Sequence, residues 1–411
     1  MRIFLALCCL PLTALAADYP DLPPAPAVEA ALHAHPMVRA AEAGIDVGEA
    51  QKRQIAAGPH EFNLRLEGQR RQDRPLDTTY WEPALGIERP LRLPGKGAKD
   101  EALGQATLDQ ARTAHADALH ETSRLLLKSW FDWQREGAAA REWQAQVDVL
   151  GRQHQAVGRR VATGDAARLE AMLSEAQLDQ ARAQLAQAET RSRLAADQLK
   201  RHFPTLPLPA QVPDAEPLSL PAPLEQWQDK MVARSHELAL ARANTQRQML
   251  AAQRADAERI PDPTVGIRAA RERGGQEHLL GAYLTIPLPG EARSAAASAA
   301  KGESAVAAAR EALTLAQVQG EARRALDQAE AAKAQWQRLA AVAARMDDNA
   351  RLLDRAWRLG EGQFADLQQS RRLAIEARLS AAQARLDAAE AYYRVLLDSH
   401  ELWAFDNDHE H

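Results

Sequence analysis

Cysteine is almost missing from these 411 residues. Cys8 and Cys9 are the only two, and both stand in an apolar leader, so a chain processed near residue 17 keeps no thiol for a disulfide. Aromatic residues make up only 5%, against a background of Ala, Gln, Arg, Glu and Leu. That balance disfavours a large compact core and favours long helices packed through small side chains. Charge of one sign is also lacking: the net value is -5, with acids and bases interleaved, so no basic face points to nucleic acid. Beyond the leader no apolar run approaches the ~18–20 residues of a spanning helix, which leaves a closed barrel as the only way for this chain to cross a membrane. Catalytic constellations are absent too. There is no glycine-rich phosphate loop and no nucleophile elbow, and the serines sit in helical runs without a histidine beside them, so the chain reads as no enzyme and as needing no cofactor.

What is present begins with a leader. Residues 1–16 combine a short basic start, an apolar run and an Ala-Leu-Ala end, the pattern of a secretory signal peptide whose removal leaves Ala17 or Asp18 first. Leu7 rather than a small residue precedes Cys8, which argues against a lipidated cysteine.

The chain then says nearly the same thing twice. Gly164, Asp165, Glu170, Ser174 and Ala181–Arg182 fall on Gly360, Glu361, Asp366, Ser370 and Ala377–Arg378 at constant offset. Leu-Arg-Leu-Pro-Gly ending at Gly95 returns as Ile-Pro-Leu-Pro-Gly ending at Gly290. The spacing is far longer than a solenoid period and implies a tandem duplication, with repeats over 17–202 and 224–400, a proline-rich linker over 203–223 and a polar tail over 401–411.

Each repeat opens with a helical stretch (27–57 and 224–259) and then switches to period two. Phe62, Leu64 and Leu66 alternate with Asn63, Arg65 and Glu67; after a polar turn over 70–77, Trp81, Leu85 and Ile87 oppose Glu82, Gly86 and Glu88. The expected β-hairpins lie at about 61–91 and 264–288. Long helix-forming stretches over 96–201 and 291–397, broken only at Gly164 and Gly360, predict antiparallel α-hairpins. Lone β-hairpins are marginal in water, so these strands must find further strands.

Signal peptide, doubling, one β-hairpin and one long α-hairpin per copy, Pro94-Gly95 and Pro289-Gly290 at the strand-to-helix junctions and the turns at Gly164 and Gly360 together resemble the TolC family of outer-membrane efflux proteins. The Arg358–Gly362 turn (Arg-Leu-Gly-Glu-Gly), the compact length and the alanine-rich helices look most like its CzcC-type, heavy-metal branch. The resemblance implies a mainly α fold with a small β part. It implies a homotrimer whose six β-hairpins close one barrel in outer-membrane lipid, continued by an α-helical tube in the periplasm. It further implies a periplasmic adaptor and an inner-membrane RND-type pump as partners, and a duct for heavy-metal cations as the function. A drug-efflux or type I secretion channel would share the architecture. A periplasmic coiled-coil adaptor is the rival of another class, although it would carry a single α-hairpin between long β-rich segments.

The resemblance also assigns the sites. Gly164, Asp165, Gly360, Glu361 and Gly362 would form the periplasmic tip and meet the adaptor, while Glu170 and Asp366 would be pore-facing acids, with Arg168 and Arg371–Arg372 as the nearest candidate counter-charges. The alternative for both acids is a solvated helix face. No resident metal is expected: His33 and His35, and His115 and His120, miss the i, i+4 spacing, and His409 and His411 belong to the polar tail.

Overall fold

A computed structural model describes residues 19–209, 213, 216–221 and 223–403, so the leader and most of the polar tail lie outside the described residues. The chain runs α1 (Ala25–Ala34), α2 (Pro36–Ala57), β1 (Asn63–Asp73), β2 (Thr78–Pro90), α3 (Lys96–Thr163) and α4 (Arg168–His202). It then runs α5 (Leu224–Ala233), α6 (His236–Ala257), β3 (Thr264–Glu272), β4 (Glu277–Thr285), α7 (Glu291–Arg358) and α8 (Phe364–Asp398). Helices match pair by pair: 10 and 22 residues before each β-hairpin, 68 and 35 after it.

Two expected helices are broken. The stretch over 27–57 divides at His35 because Pro36, which has no N–H to donate, starts a new helix. The stretch over 224–259 divides at Ser235, whose hydroxyl accepts the Leu238 N–H at 3.2 Å and caps α6.

The chain forms two compact units, each drawn from both halves. The first comprises the described residues within 19–36, 121–231 and 322–403. Its helices pack through alanine as the composition requires: Ala181, Ala188, Ala384, Ala388 and Ala389 are all buried. Larger side chains gather where α3 and α8 meet the N-terminal segment, with Phe131 and Tyr393 at 5.9 Å between ring centres. The Asp21 backbone carbonyl accepts from Trp130 Nε1 and Gln134 Nε2, both at 2.8 Å, while its carboxyl accepts from the Tyr393 hydroxyl at 2.7 Å. Burial pushes the Asp21 carboxyl above its ordinary range even against that hydrogen bond. Arg135 ties α3 to α8 through Glu390 at 2.6 Å and Asp387 at 3.0 Å.

The second unit comprises residues 37–120 and 232–321. Gly48 of α2 lies so close to α3 that a Cβ there would meet Ala111 Cβ at 3.0 Å, which explains the glycine inside a helix. The unit carries the single sheet among the described residues, four antiparallel strands in the order β1-β2-β3-β4. The polar turn expected over 70–77 is shorter than the sequence suggests. β1 continues to Asp73 and β2 starts at Thr78, because Arg71 on the extended strand reaches Glu82 at 3.3 Å and Glu272 at 2.6 Å.

Candidate functional site

Register divides the sheet into two faces of opposite character. Leu64 faces Ile87, which faces Ile267; Leu66 faces Leu85; and Val265 faces Leu284. These side chains share one side, and they are exposed, Leu66 at 75% and Leu280 at 83%. The other side carries Arg65, Glu67, Arg71, Glu82, Glu88 and Arg268 in a ladder of ion pairs, with Arg268–Glu67 at 3.2 Å and Arg65–Glu67 at 2.5 Å. The Tyr283 hydroxyl donates to Glu88 at 2.6 Å. Its ring lies over Gly266, where a Cβ would collide with Tyr283 Cζ, so a residue with a side chain at 266 displaces the tyrosine. An exposed apolar face backed by a charged one is the inverse of a soluble sheet and the pattern of a strand wall between lipid and water. At nine to thirteen residues the strands match the length needed to cross a bilayer at a tilt. Among the described residues no helix is long and apolar enough to cross a membrane.

Beneath the sheet, the first strand-to-helix junction is built around Lys96, only 3% exposed. Its ammonium contacts Asp262 Oδ1 at 2.9 Å and Glu258 at 3.3 Å, and donates to the Ile260 carbonyl at 2.7 Å. Asp262 also accepts from the Leu93 N–H at 3.0 Å, and its Oδ2 lies 3.0 Å from His60 Nε2. Burial alone would raise the Asp262 carboxyl, but the bonds from Lys96, Leu93 and His60 outweigh it and hold the group down to about 2. Gly95 turns the chain here at φ +83°. Pro94 and Gly95 were expected at this junction; Lys96, Asp262 and His60 were not, since Asp262 comes from the other half of the chain. Pro289 and Gly290 do not repeat the geometry. Gly290 keeps an ordinary φ and its carbonyl starts α7 by accepting from Arg293 and Ser294 N–H groups at 3.2 and 3.3 Å.

The two α-hairpin turns lie in the first unit and share one backbone solution. Gly164 and Gly360 stand at φ +81° and +80°. The Gly164 N–H returns to the Val161 carbonyl at 3.1 Å and that of Asp165 to Arg160 at 2.8 Å; Gly360 bonds Trp357 at 3.1 Å and Glu361 bonds Ala356 at 2.9 Å. Both are Schellman closures, which need a residue that tolerates positive φ. Gly362 is needed for space, since a Cβ there would meet the Trp357 N at 3.1 Å. Asp165 and Glu361 are both exposed, and Asp165 accepts from the Thr163 hydroxyl at 2.6 Å.

Between the turns the side chains have diverged. Arg160 places its guanidinium 4.8 Å from the centre of the Trp357 ring and donates to the Trp357 carbonyl at 3.1 Å. Trp357 packs with Val157, Phe364 and Leu367 in a small buried cluster. Alanine at Trp357 is expected to lower the free energy of opening this turn by about 3 kcal/mol through the lost burial. Amide exchange of α7 and α8 next to the turn reads the effect, which should leave total helix content unchanged.

Glu170 and Asp366 each occupy the third position of a helix, α4 and α8, where a carboxylate is favoured by the free N–H groups of the first turn. Asp366 is exposed and Glu170 half-buried. The expected counter-charge for Asp366 is corrected: Arg371 is held by Asp354 and Gln153, and Arg372 reaches Gln369 at 3.0 Å and Glu376 at 3.7 Å. Helix geometry turns position 371 to the inner seam, away from Asp366. Burial lowers the Arg371 guanidinium against the Asp354 charge.

Solved structures share this arrangement. The chain aligns with the outer membrane protein VceC from Vibrio cholerae at a TM-score of 0.72 and 14% identity, over 91% of this chain and 95% of that one. A membrane protein from Pseudomonas aeruginosa gives 0.76 and 15%, over 91% and 89%. The CmeC outer membrane channel of Campylobacter jejuni gives 0.74 and 13%, over 92% and 85%. The chain has the fold of a bacterial outer-membrane channel. No protein-family profile and no curated protein sequence matches it.

Proposed function

We propose that the protein is the outer-membrane channel of a tripartite efflux system, a homotrimer that receives cargo from a periplasmic adaptor and an inner-membrane pump. The observation that carries this reading is the sheet. Four strands expose one apolar face, keep an ion-paired face on the other side and leave the outer edges of β1 and β4 without a strand among the described residues. Pairing β4 of one subunit with β1 of the next removes every edge, and three copies give a twelve-stranded ring with a wet lumen. The matched helix lengths fit a tandem duplication in which neither half supplies enough strands to close alone. The α-hairpin turns then face the adaptor, and the third-position acids Glu170 and Asp366 form rings around the axis.

Within that reading the cargo is heavy-metal cations, as the Arg-Leu-Gly-Glu-Gly turn suggests, and selection among them belongs to the pump. The lumen-side residues Arg65, Glu67, Glu82, Glu88 and Arg268 mix signs and include no soft ligand. Recording in planar bilayers tests the channel: the purified full chain should give a stable conductance, and Glu170→Ala with Asp366→Ala should weaken block by multivalent cations. A protein that remains a soluble monomer refutes the channel, and unchanged block in the double variant refutes the acid rings. A deletion strain that loses tolerance to organic drugs but to no metal refutes the cargo.

A further inference from the structure

We propose that the turn end of the apolar face binds the phosphate groups of a phosphorylated glycolipid in the outer leaflet, through Arg70, Arg271 and His278 beside Trp81. The inference rests on the membrane reading above. Register puts them in two successive rows of one face: Arg271 faces His278 across β3 and β4, next after the Leu66–Leu85–Ala269–Leu280 row, and Arg70 faces Trp81 across β1 and β2 one row further out. All four fall on the side of Leu66, Leu85 and Leu280 by the period of two, Arg271 and His278 in the row after the leucines and Arg70 and Trp81 beyond the Gly68–Pro83 pair.

This face carries no carboxylate. The acids of the four strands, Glu67, Asp73, Glu82, Glu88, Glu272 and Glu277, all alternate to the opposite side. There they neutralise Arg65, Arg71 and Arg268. Arg70 and Arg271 are exposed and make no ion pair among the described residues. The remaining arginine on the apolar face, Arg89, stands at the helix end and is held internally, donating to the His60 carbonyl at 2.8 Å with its guanidinium 4.8 Å from the Phe62 ring centre. Open cations on this face are therefore confined to the turn end.

A guanidinium at the border of an apolar band needs an anion from outside the protein, and its planar fork fits a phosphate with two hydrogen bonds. Trp81, 74% exposed, is the amphipathic ring that such a border favours. The leucine row of the same face contacts acyl chains in this reading, so the ligand must carry phosphate and acyl chains together, which free phosphate does not. The turns over 74–77 and 273–275 lie at the strand ends opposite Lys96 and Glu291, where the helices begin. This end faces outward, and the outward leaflet of an outer membrane is built from phosphorylated glycolipid.

The test reconstitutes the full chain and an Arg70→Gln, Arg271→Gln, His278→Gln variant into phosphatidylcholine vesicles, alone or with diphosphoryl lipid A or phosphatidylglycerol. Both proteins should insert into phosphatidylcholine. Lipid A should raise the unfolding midpoint of the natural protein at a lower mole fraction than phosphatidylglycerol, and the variant should need about tenfold more lipid A for the same rise. If the triple variant fails to insert, Arg70→Gln and Arg271→Gln singly take its place, each with the same direction of change. A natural protein that does not insert refutes the membrane reading. Insertion with an equal lipid A response in protein and variants, or an equal response to both anionic lipids, overturns this proposal alone.

Discussion

Alanine at Asp262 is expected to cost about 3 kcal/mol, because it leaves a buried ammonium without its main partner. Lys96 keeps only Glu258 and the Ile260 carbonyl, while the Leu93 N–H and His60 Nε2 lose their acceptor. The penalty is the uncompensated charge, so replacing Lys96 by Met in the same chain should restore part of the loss, and a double-mutant cycle on urea-unfolding midpoints measures it. A loss well under 1 kcal/mol in the single variant would show that the junction relaxes around the lysine. The same carboxyl predicts an acid dependence. Its folded value lies near 2, below the ~3.9 of an unfolded aspartate, so its contribution is complete above pH ~4 and disappears as pH falls through ~2. The alanine variant should lack that component between these limits.

Arginine at Ile267 is the second large effect expected. Ile267 stands between Ile87 and Ala282 on the exposed apolar face. A cation near the middle of a lipid-facing strand costs about 2–4 kcal/mol, falling toward the interfaces. Arginine at Ala270, on the ion-paired side of the same strand, is the control and should cost much less. Folding into liposomes, followed by heat-dependent mobility on gels, separates the two, and equal losses would mean that the apolar side does not meet lipid.

The period-two alternation at Phe62 to Glu67 was readable because the sheet keeps one apolar and one charged face, and a strand that alternates between two such faces writes a regular pattern. The Gly164 and Gly360 turns were readable for a similar reason, since a positive φ restricts residue choice. Lys96 and Asp262 were not readable. They are joined across the two halves of the chain, and a charged residue in a sequence that is 26% charged carries no mark of the partner it will meet. The Arg160–Trp357 contact has no counterpart in the repeat, since the matching positions hold Ala356 and Val161, so the duplication carried no sign of it.

The pairing of β2 with β3 also sets an order of events during folding. Ile87 and Ile267 meet across the middle of the sheet although one entire α-hairpin separates them along the chain. β1 and β2 can close at once through a short turn, but their open edge and apolar side must wait until β3 has been delivered. Closing a loop of that size precedes any gain from the strand pairing, so sheet completion should be slow. During that interval the unpaired edge and exposed apolar side of the first hairpin are an aggregation hazard.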